Sequence, residues 1–412
     1  MQLTRQDKLF IVALYATVAG IVMLQLLGLN SLVSALFTLT FFLVALLWTS
    51  TAMRRVTSND LLAWLIVIVA FIHVFADAWI SGSSLSFSYL KKWVMFSASV
   101  LYLATVSKLR ADRKIMTTLL RLNTLVAVYL ILFFVLRRDV MYELNGVRSQ
   151  YLTFRFTNPN LTGLFLTCIV ILETVCLQES EAWWRKMFRV ALCAVLVYFI
   201  FLTGSRSAQL AVFGFFLLAG WLVLRRRSYA PLPKWLLTLV AVFPLLFALL
   251  YLSVVHSSWL SETFSFLVRE GKALTNRRMI WQRAFRAFLQ APVFGSYSAL
   301  SHGTGSFQMH NTHLDVLTSY GLSVLIAVCV LLYRLMQSKN TGVSSSMRSM
   351  FLIGFIGALM LGNGEAALFS GGLGIYLLAG SFLLLANSLP EESNHEAGVS
   401  QQLFQSSSKT AF

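Results

Sequence analysis

Long apolar runs are the feature of this sequence that most restricts its fold. Twelve runs, each near the roughly 20 residues that a helix needs to cross a membrane, can be read along the 412 residues. They lie near residues 9–29, 31–49, 60–80, 88–107, 117–137, 160–178, 187–204, 206–224, 234–255, 311–336, 348–364 and 366–388. None shows the period-two alternation of a membrane β-barrel. The sequence therefore predicts an all-α membrane protein with about twelve spanning helices.

The composition agrees with burial in lipid. Hydrophobic residues make up 58% of the chain and charged residues 12%, against about 25% charged residues in soluble domains. We interpret the run near 9–29 as the first spanning helix rather than a cleaved signal peptide, because no small-residue cleavage site follows it. All four cysteines fall in apolar runs, so we expect neither a disulfide framework nor a metal site.

The net charge of +17 would suggest a nucleic-acid partner in a soluble protein. Here we interpret most basic residues as topology signals, since they fall in every second loop and mark the cytoplasmic side. No nucleic-acid partner is expected. The examples are Arg54, Arg55, Lys108, Arg110, Arg113, Lys114, Arg185, Lys186, Arg189, Arg225, Arg226, Arg227, Lys234, Arg334, Lys339 and Arg348. Both termini are then predicted to be cytoplasmic.

This topology divides the chain into four parts. Residues 1–255 are expected to hold nine spanning helices, and residues 256–310 a large extracytoplasmic loop. Residues 311–388 would hold the last three spanning helices, and residues 389–412 a disordered cytoplasmic tail. Within the loop, the stretch from Asn276 to Gln290 is typical of an amphipathic helix.

Arginines provide two of the three features with chemical potential on the predicted outer face. Arg206 occupies a very short turn between two apolar runs, where an arginine is costly unless it is paired or lines a wet cavity. The alternative is an arginine whose charged head snorkels to the membrane surface. Arg277 and Arg278 lie in the long loop. A solvated helix face, or a helix lying on the membrane, would look the same.

The third feature is a pair of histidines where the long loop returns to the membrane. His310 and His313 flank Asn311 and Thr312. A histidine here can take a proton from a hydroxyl near neutral pH, although a helix-capping or interfacial histidine is an equal alternative. A metal site is disfavoured, because Asp315 is the only carboxylate nearby and cysteines are lacking there.

The three features together favour one chemistry. Arginines can clamp a pyrophosphate through bidentate contacts, and they would neutralise the charge that develops on a leaving group. A neutral histidine nearby can activate an acceptor hydroxyl. The combination predicts transfer of a group from a diphosphate carrier, without a cofactor or metal.

At these residues the sequence resembles the O-antigen ligase and O-antigen polymerase family. His310-Asn311, nine residues and then Gly321 is similar to the ligase motif, although Val324 departs from its last position. Arg206 to Leu210 resembles an Arg-x-x-x-Leu segment of the family, and Arg277 with Trp281 resembles its Arg-x-x-x-Trp helix, followed by Pro292 and Gly295. Phe156 to Asn160 resembles an Asn-Pro-Asn segment at a helix start.

The resemblance implies an inverting, metal-independent glycosyltransferase of the bacterial cytoplasmic membrane, with its active site facing outward. The donor would be an undecaprenyl-diphosphate-linked oligosaccharide, with His310 as general base and Arg206 and Arg277 on the diphosphate. The remaining candidates for the pocket are Arg278, Arg148 and Arg155 on the diphosphate, and Asn158, Asn311 and His313 in substrate-binding or structural roles.

The acceptor separates two activities within the family. A polymerase of O-antigen, capsule or exopolysaccharide uses another lipid-linked repeat unit, with a chain-length regulator protein as a possible partner. A ligase uses lipid A–core. Val324 and the Phe-Thr-Asn-Pro-Asn segment favour the polymerase. A flippase or transporter is the alternative from another class, but charge inside the apolar runs is sparse, whereas transporters place charge at a central site.

Overall fold

The computed structural model describes residues 2–82, 87–136, 141–144, 147–154, 159–179, 182–224, 233–256, 273–296, 309–337, 346–362 and 375–388. Thirteen helices and two strands make up most of this described part. The helices are α1 Arg5–Leu26, α2 Asn30–Ala52, α3 Ser58–Ile80, α4 Phe87–Val106, α5 Arg113–Leu136, α6 Pro159–Glu179, α7 Trp183–Leu202, α8 Arg206–Leu224, α9 Lys234–His256, α10 Ala273–Gln290, α11 Thr312–Met336, α12 Ser346–Leu361 and α13 Ile375–Ser388. The strands are β1 Met141–Leu144 and β2 Val147–Leu152.

Each predicted apolar run overlaps one helix of the described part, and α10 covers the stretch from Asn276 to Gln290 that was expected to be an amphipathic helix. Six helices of the described part are long and apolar enough to cross a membrane, namely α1, α2, α3, α5, α6 and α11. Shorter apolar stretches occupy α9, α12 and α13. The helical membrane-protein class is therefore confirmed, while the count of twelve spans stays a prediction. The expected tail at 389–412 lies outside the described residues.

One short antiparallel hairpin accompanies the helices. Strands β1 and β2 pair with Leu144 opposite Val147 and Met141 opposite Leu152. The sequence between the strands is Asn145-Gly146, the dipeptide most typical of two-residue hairpin turns. A hairpin contains no apolar run of spanning length, so the hydropathy pattern gives no sign of it.

Ion pairs join several helix ends at one end of the bundle. We call this the terminal end, and it contains the starts of α1, α3 and α5 and the ends of α2, α4 and α13. Arg54 binds Asp7 at 2.5 Å and Lys108 binds Asp60 at 2.9 Å. Lys8 donates to Asp112 and thereby lowers the pKa of that carboxyl. Several basic residues interpreted as topology signals therefore also hold neighbouring helices together.

One buried carboxylate in the bundle is both hydrogen-bonded and ion-paired. Glu173 of α6 is fully buried and accepts hydrogen bonds from Asn123 and Thr124 of α5, each at 2.7 Å. Arg189 of α7 completes the cluster with an ion pair at 2.6 Å. A buried carboxylate is tolerated only when it is paired and hydrogen-bonded, so this cluster fixes α5, α6 and α7 against one another.

Tryptophans are exposed near the helix ends. Trp183 is the first residue of α7 and Trp235 the second of α9, and they are 75% and 68% exposed; Trp79 near the end of α3 is 80% exposed. Tryptophan is enriched where a membrane meets water, because its ring suits the headgroup layer. The positions of these side chains suit a bundle whose helix ends lie at the two membrane surfaces.

Candidate active site

Helix α11 is broken at Gly321, which corrects the prediction of one continuous helix over 311–336. Gly321 has φ 81° and ψ 178°, so the helix consists of a short helix 312–320 and a longer part from 322 onward. A Cβ at Gly321 would lie 1.9 Å from the carbonyl oxygen of Val293. Only glycine fits this backbone and this contact. The break exists because the turn 291–296, which follows α10, packs against it.

The polar backbone groups released by the break find partners in neighbouring segments. The amide of Ser296 donates to the Thr318 carbonyl at 2.8 Å, and the amide of Leu322 donates to the Pro292 carbonyl at 3.0 Å. The Nδ1–H of His73, on α3, donates to the Tyr320 carbonyl at 2.6 Å. Buried backbone groups need such partners, so the turn and α3 stabilise the broken helix.

Asn311 begins the short helix and connects it to α9. Its Oδ1 accepts the amide of Leu314 at 2.9 Å, which caps the helix, and its Nδ2 donates to the Pro244 carbonyl at 2.7 Å. The side chain is fully buried. Asn311 is therefore placed as a structural anchor within the motif.

His313 also contacts α9 near its proline. The imidazole is buried, and its Nε2–H donates to the carbonyl of Ala241 at 2.5 Å. Pro244 has no amide hydrogen, so it interrupts the hydrogen-bond ladder of α9 at this level. Of the two roles considered for His313, this placement favours the structural one.

His310 precedes the cap in a strained backbone conformation. Its φ is 48°, and among the described residues only Phe154 shares a positive φ without being glycine. The side chain is partly exposed. Strain of this kind costs about 1–3 kcal/mol and persists only where the surroundings enforce it, often at functional sites.

Trp281 enforces the path of the chain into His310. Its indole is buried against Phe247 of α9, and its Nε1–H donates to the carbonyl of Met309 at 2.8 Å. The residue immediately before His310 is thus tied to α10. Arg277 lies four residues before Trp281 in the same helix, but its side chain is outside the described residues.

Arg206 is the first residue of α8, and its side chain is exposed. The preceding turn contains Gly204 at φ 64°, where a Cβ would lie 2.5 Å from the ring of Tyr151. The hairpin strand β2 therefore packs on this turn. Ser205 is fully buried, and its Cβ would lie 2.7 Å from one added at Gly163 of α6. These close contacts fix where α8 begins.

Helix α12 contacts both α8, which begins at Arg206, and the start of the short helix, next to His310. At its end, the Gly362 carbonyl accepts the amide of Thr312 at 2.9 Å. One and a half turns earlier, a Cβ on Gly357 would lie 4.0 Å from Phe215 of α8. Arg206 and His310 therefore lie at one end of the bundle, opposite the terminal end, which we call the site end. Whether both contact one ligand stays a prediction.

The remaining predicted site residues cannot be placed by their side chains. Arg278 lies in α10 and Arg148 in β2, with side chains outside the described residues. Arg155 and Asn158 lie outside them entirely. In the described part, no group of three or more histidine, cysteine or acidic side chains could hold a metal ion.

Sequence reasoning missed an ion pair beside the motif. Lys92 of α4 binds Asp315 of the short helix at 2.7 Å and also donates to Ser319 at 2.8 Å. The available signal was a lysine in the apolar run 88–107, because a charge at such a depth calls for a specific partner. The partner itself, 223 positions further along the chain, is visible only in the fold.

Comparison with known proteins agrees with the resemblance. Residues 191–329 match the family model described as O-antigen ligase. The matched region extends from α7 to the middle of α11 and includes Arg206, Arg277 and His310. No curated protein matches the chain. The resemblance to the O-antigen ligase and polymerase family is confirmed for this region, and the apolar helices make the chain an integral membrane protein.

Proposed function

We propose that this protein transfers a glycan from an undecaprenyl-diphosphate carrier to an acceptor hydroxyl at the outer face of a bacterial cytoplasmic membrane. The observation that carries the proposal is the placement of His310. It is partly exposed, strained, and held between a capped helix and the Trp281 anchor, at the same end of the bundle as Arg206. The family match supports a membrane enzyme of this general kind.

His310 acts as the general base in this proposal. Its imidazole takes the proton of the acceptor hydroxyl while the oxygen attacks the anomeric carbon. The bond from that carbon to the diphosphate oxygen breaks, and the lipid diphosphate leaves with the bonding electron pair. A single displacement of this kind inverts the anomeric carbon. Positioned general bases typically contribute about 10²- to 10⁴-fold to the rate.

Arg206 is proposed to hold the leaving diphosphate. It stands at the start of α8, where free backbone amides and the helix dipole also favour an anion. Arg277 is proposed to join it, with Arg278, Arg148 and Arg155 as further contributors. The spacing of four between Arg277 and Trp281 puts both positions on one face of a helix, and Trp281 contacts the segment next to His310.

The acceptor proposed first is another lipid-linked repeat unit, which makes the protein a polymerase of surface polysaccharide. The alternative is a ligase with lipid A–core as acceptor, and the family match is compatible with either acceptor. Val324, where the sequence departs from the ligase motif, is buried in the longer part of α11. The departure therefore concerns packing rather than a group at the site, and it weakens the sequence argument for a polymerase.

The host's surface glycan distinguishes the two acceptors. If the protein is a polymerase, deletion of its gene leaves single repeat units attached to the cell while long chains disappear. If it is a ligase, deletion leaves neither single units nor long chains attached, and lipid-linked glycan accumulates instead. Analysis of the attached glycan by gel electrophoresis separates these outcomes.

Variants at His310 test the chemistry. Asparagine tolerates a left-handed backbone better than most residues, so His310→Asn should fold but lose about 10²-fold or more of the transfer rate. His310→Gly removes the strain, and added imidazole should restore part of its activity. Full glycan assembly by His310→Asn would contradict the role as general base and would reopen the transporter alternative.

A further inference from the structure

Lys92 reaches the short helix 312–320 from a distant part of the chain. Its ammonium lies 2.7 Å from Asp315 and 2.8 Å from Ser319. These two residues are one helical turn apart, so the lysine bridges one face of the short helix. The side chains of Lys92 and Asp315 are only 19% and 6% exposed. Lys92 also lies outside the region 191–329 that the family model covers.

The neighbouring helix α3 holds the other end of the same segment. His73 donates to the Tyr320 carbonyl at the break, and the ring of His73 packs edge-on against Phe294 of the turn 291–296. The ring of Tyr320 in turn packs against Phe96 of α4. Helices α3 and α4 thus hold the short helix from one side, while α9 and α10 hold it through Asn311 and Trp281 from the other.

We propose that Lys92 and Asp315 are positioning residues of the transferase, which keep the short helix in the place where His310 can act. This inference rests on the proposed function of His310. Asp315 lies in the first turn of the short helix, five residues after His310. Neither residue needs to touch the substrate in this role.

The strained backbone of His310 gives the ion pair its importance. A left-handed histidine relaxes to an ordinary conformation unless its surroundings enforce the strained one. The cap at Asn311 fixes the segment on the α9 side only. Without Lys92 the α4 side of the short helix loses its charged contact, and its first turn can shift. A displacement of about 1 Å at a reacting group can lower a rate about 100-fold.

Four variants test the proposal in membranes of a deletion strain, with the lipid-linked glycan extracted from that strain as donor. They are Lys92→Met, Asp315→Asn, the charge-swapped pair Lys92→Asp with Asp315→Lys, and Lys91→Met. Lys91 is the adjacent lysine and is exposed, so its variant is the matched control. The readouts are kcat and KM for the extract, and amide hydrogen exchange of residues 312–320.

Positioning predicts a distinctive pattern. Lys92→Met and Asp315→Asn should lower kcat about 10- to 100-fold, leave KM little changed, and speed exchange in the short helix. The charge-swapped pair should recover most of both properties, and Lys91→Met should resemble the unmodified protein. If Lys92→Met fails to accumulate, the charge-swapped pair still decides the question.

Other outcomes overturn the inference. A raised KM with unchanged kcat, or a folded charge-swapped pair without activity, would show that Lys92 contacts the substrate. Unchanged kcat in Lys92→Met would show that the ion pair is dispensable. The proposed function is tested separately, because His310→Asn measured in the same membranes must lose about 10²-fold or more of the transfer rate whatever Lys92 does. Full activity of His310→Asn would refute the function itself.

Discussion

At the scale of single residues, one amide side chain performs two tasks. Asn311 caps the short helix through its oxygen and binds α9 through its nitrogen. A lost cap costs about 1 kcal/mol, and a lost hydrogen bond about 0.5–1.5 kcal/mol. Asn311→Ala should therefore lower the free energy of unfolding by about 2 kcal/mol. Asn311→Ser keeps a capping oxygen and should lose only about half as much.

Thermal or denaturant unfolding in detergent measures the loss of unfolding free energy in the alanine and serine variants. Equal losses in the alanine and serine variants would show that capping contributes little here. The sequence singled out Asn311 and His310 by motif, but it could not assign their tasks. The bond from Asn311 to Pro244 joins positions 67 residues apart, and Trp281 of another helix holds Met309, the residue before the left-handed His310.

At the scale of elements, the break in α11 is the most specific structural feature near the site. Gly321→Ala would force a side chain into a conformation that is nearly restricted to glycine and into contact with the Val293 carbonyl. We expect a loss of about 3 kcal/mol in unfolding free energy, together with loss of transfer activity. Gly214→Ala in α8 is the control, since a Cβ there has nothing within 4 Å.

The control Gly214→Ala should leave the free energy of unfolding unchanged or raise it by up to about 1 kcal/mol, because alanine is a better helix former than glycine. If both variants unfold alike, the packing of the turn 291–296 against Gly321 is not what holds the break. Apolar runs predicted the position of α11 well, because spanning length leaves a strong compositional signal. The break left no such signal, since a glycine inside a helical run is ordinarily tolerated.

At the scale of the whole molecule, the two ends of the bundle should face opposite sides of the membrane. Arg55 lies at the terminal end and Ser81 at the end of α3 away from it, and both are exposed. A membrane-impermeant maleimide applied to intact spheroplasts should label Ser81→Cys. It should label Arg55→Cys only after permeabilisation. Each variant is best made in a background without the four native cysteines.

The reverse labelling pattern would place the site end in the cytoplasm and contradict the proposed outward orientation. The basic loops predicted which helix ends lie together, because their alternation follows from the helix count. They could not show that Lys108 is buried in an ion pair with Asp60. This ion pair forms because α3 packs against α4. Part of the chain's positive charge therefore stabilises the bundle.

The hydrogen bond from Asn311 to Pro244 closes the long loop at its base. It joins residues 67 positions apart, so the chain between α9 and the short helix is anchored at both ends. The entropy cost of closing a flexible loop grows only with the logarithm of its length, so doubling the length costs only about 0.6 kcal/mol. Segments inserted between α9 and α10 are therefore expected to change which glycan is accommodated while His310 keeps its place.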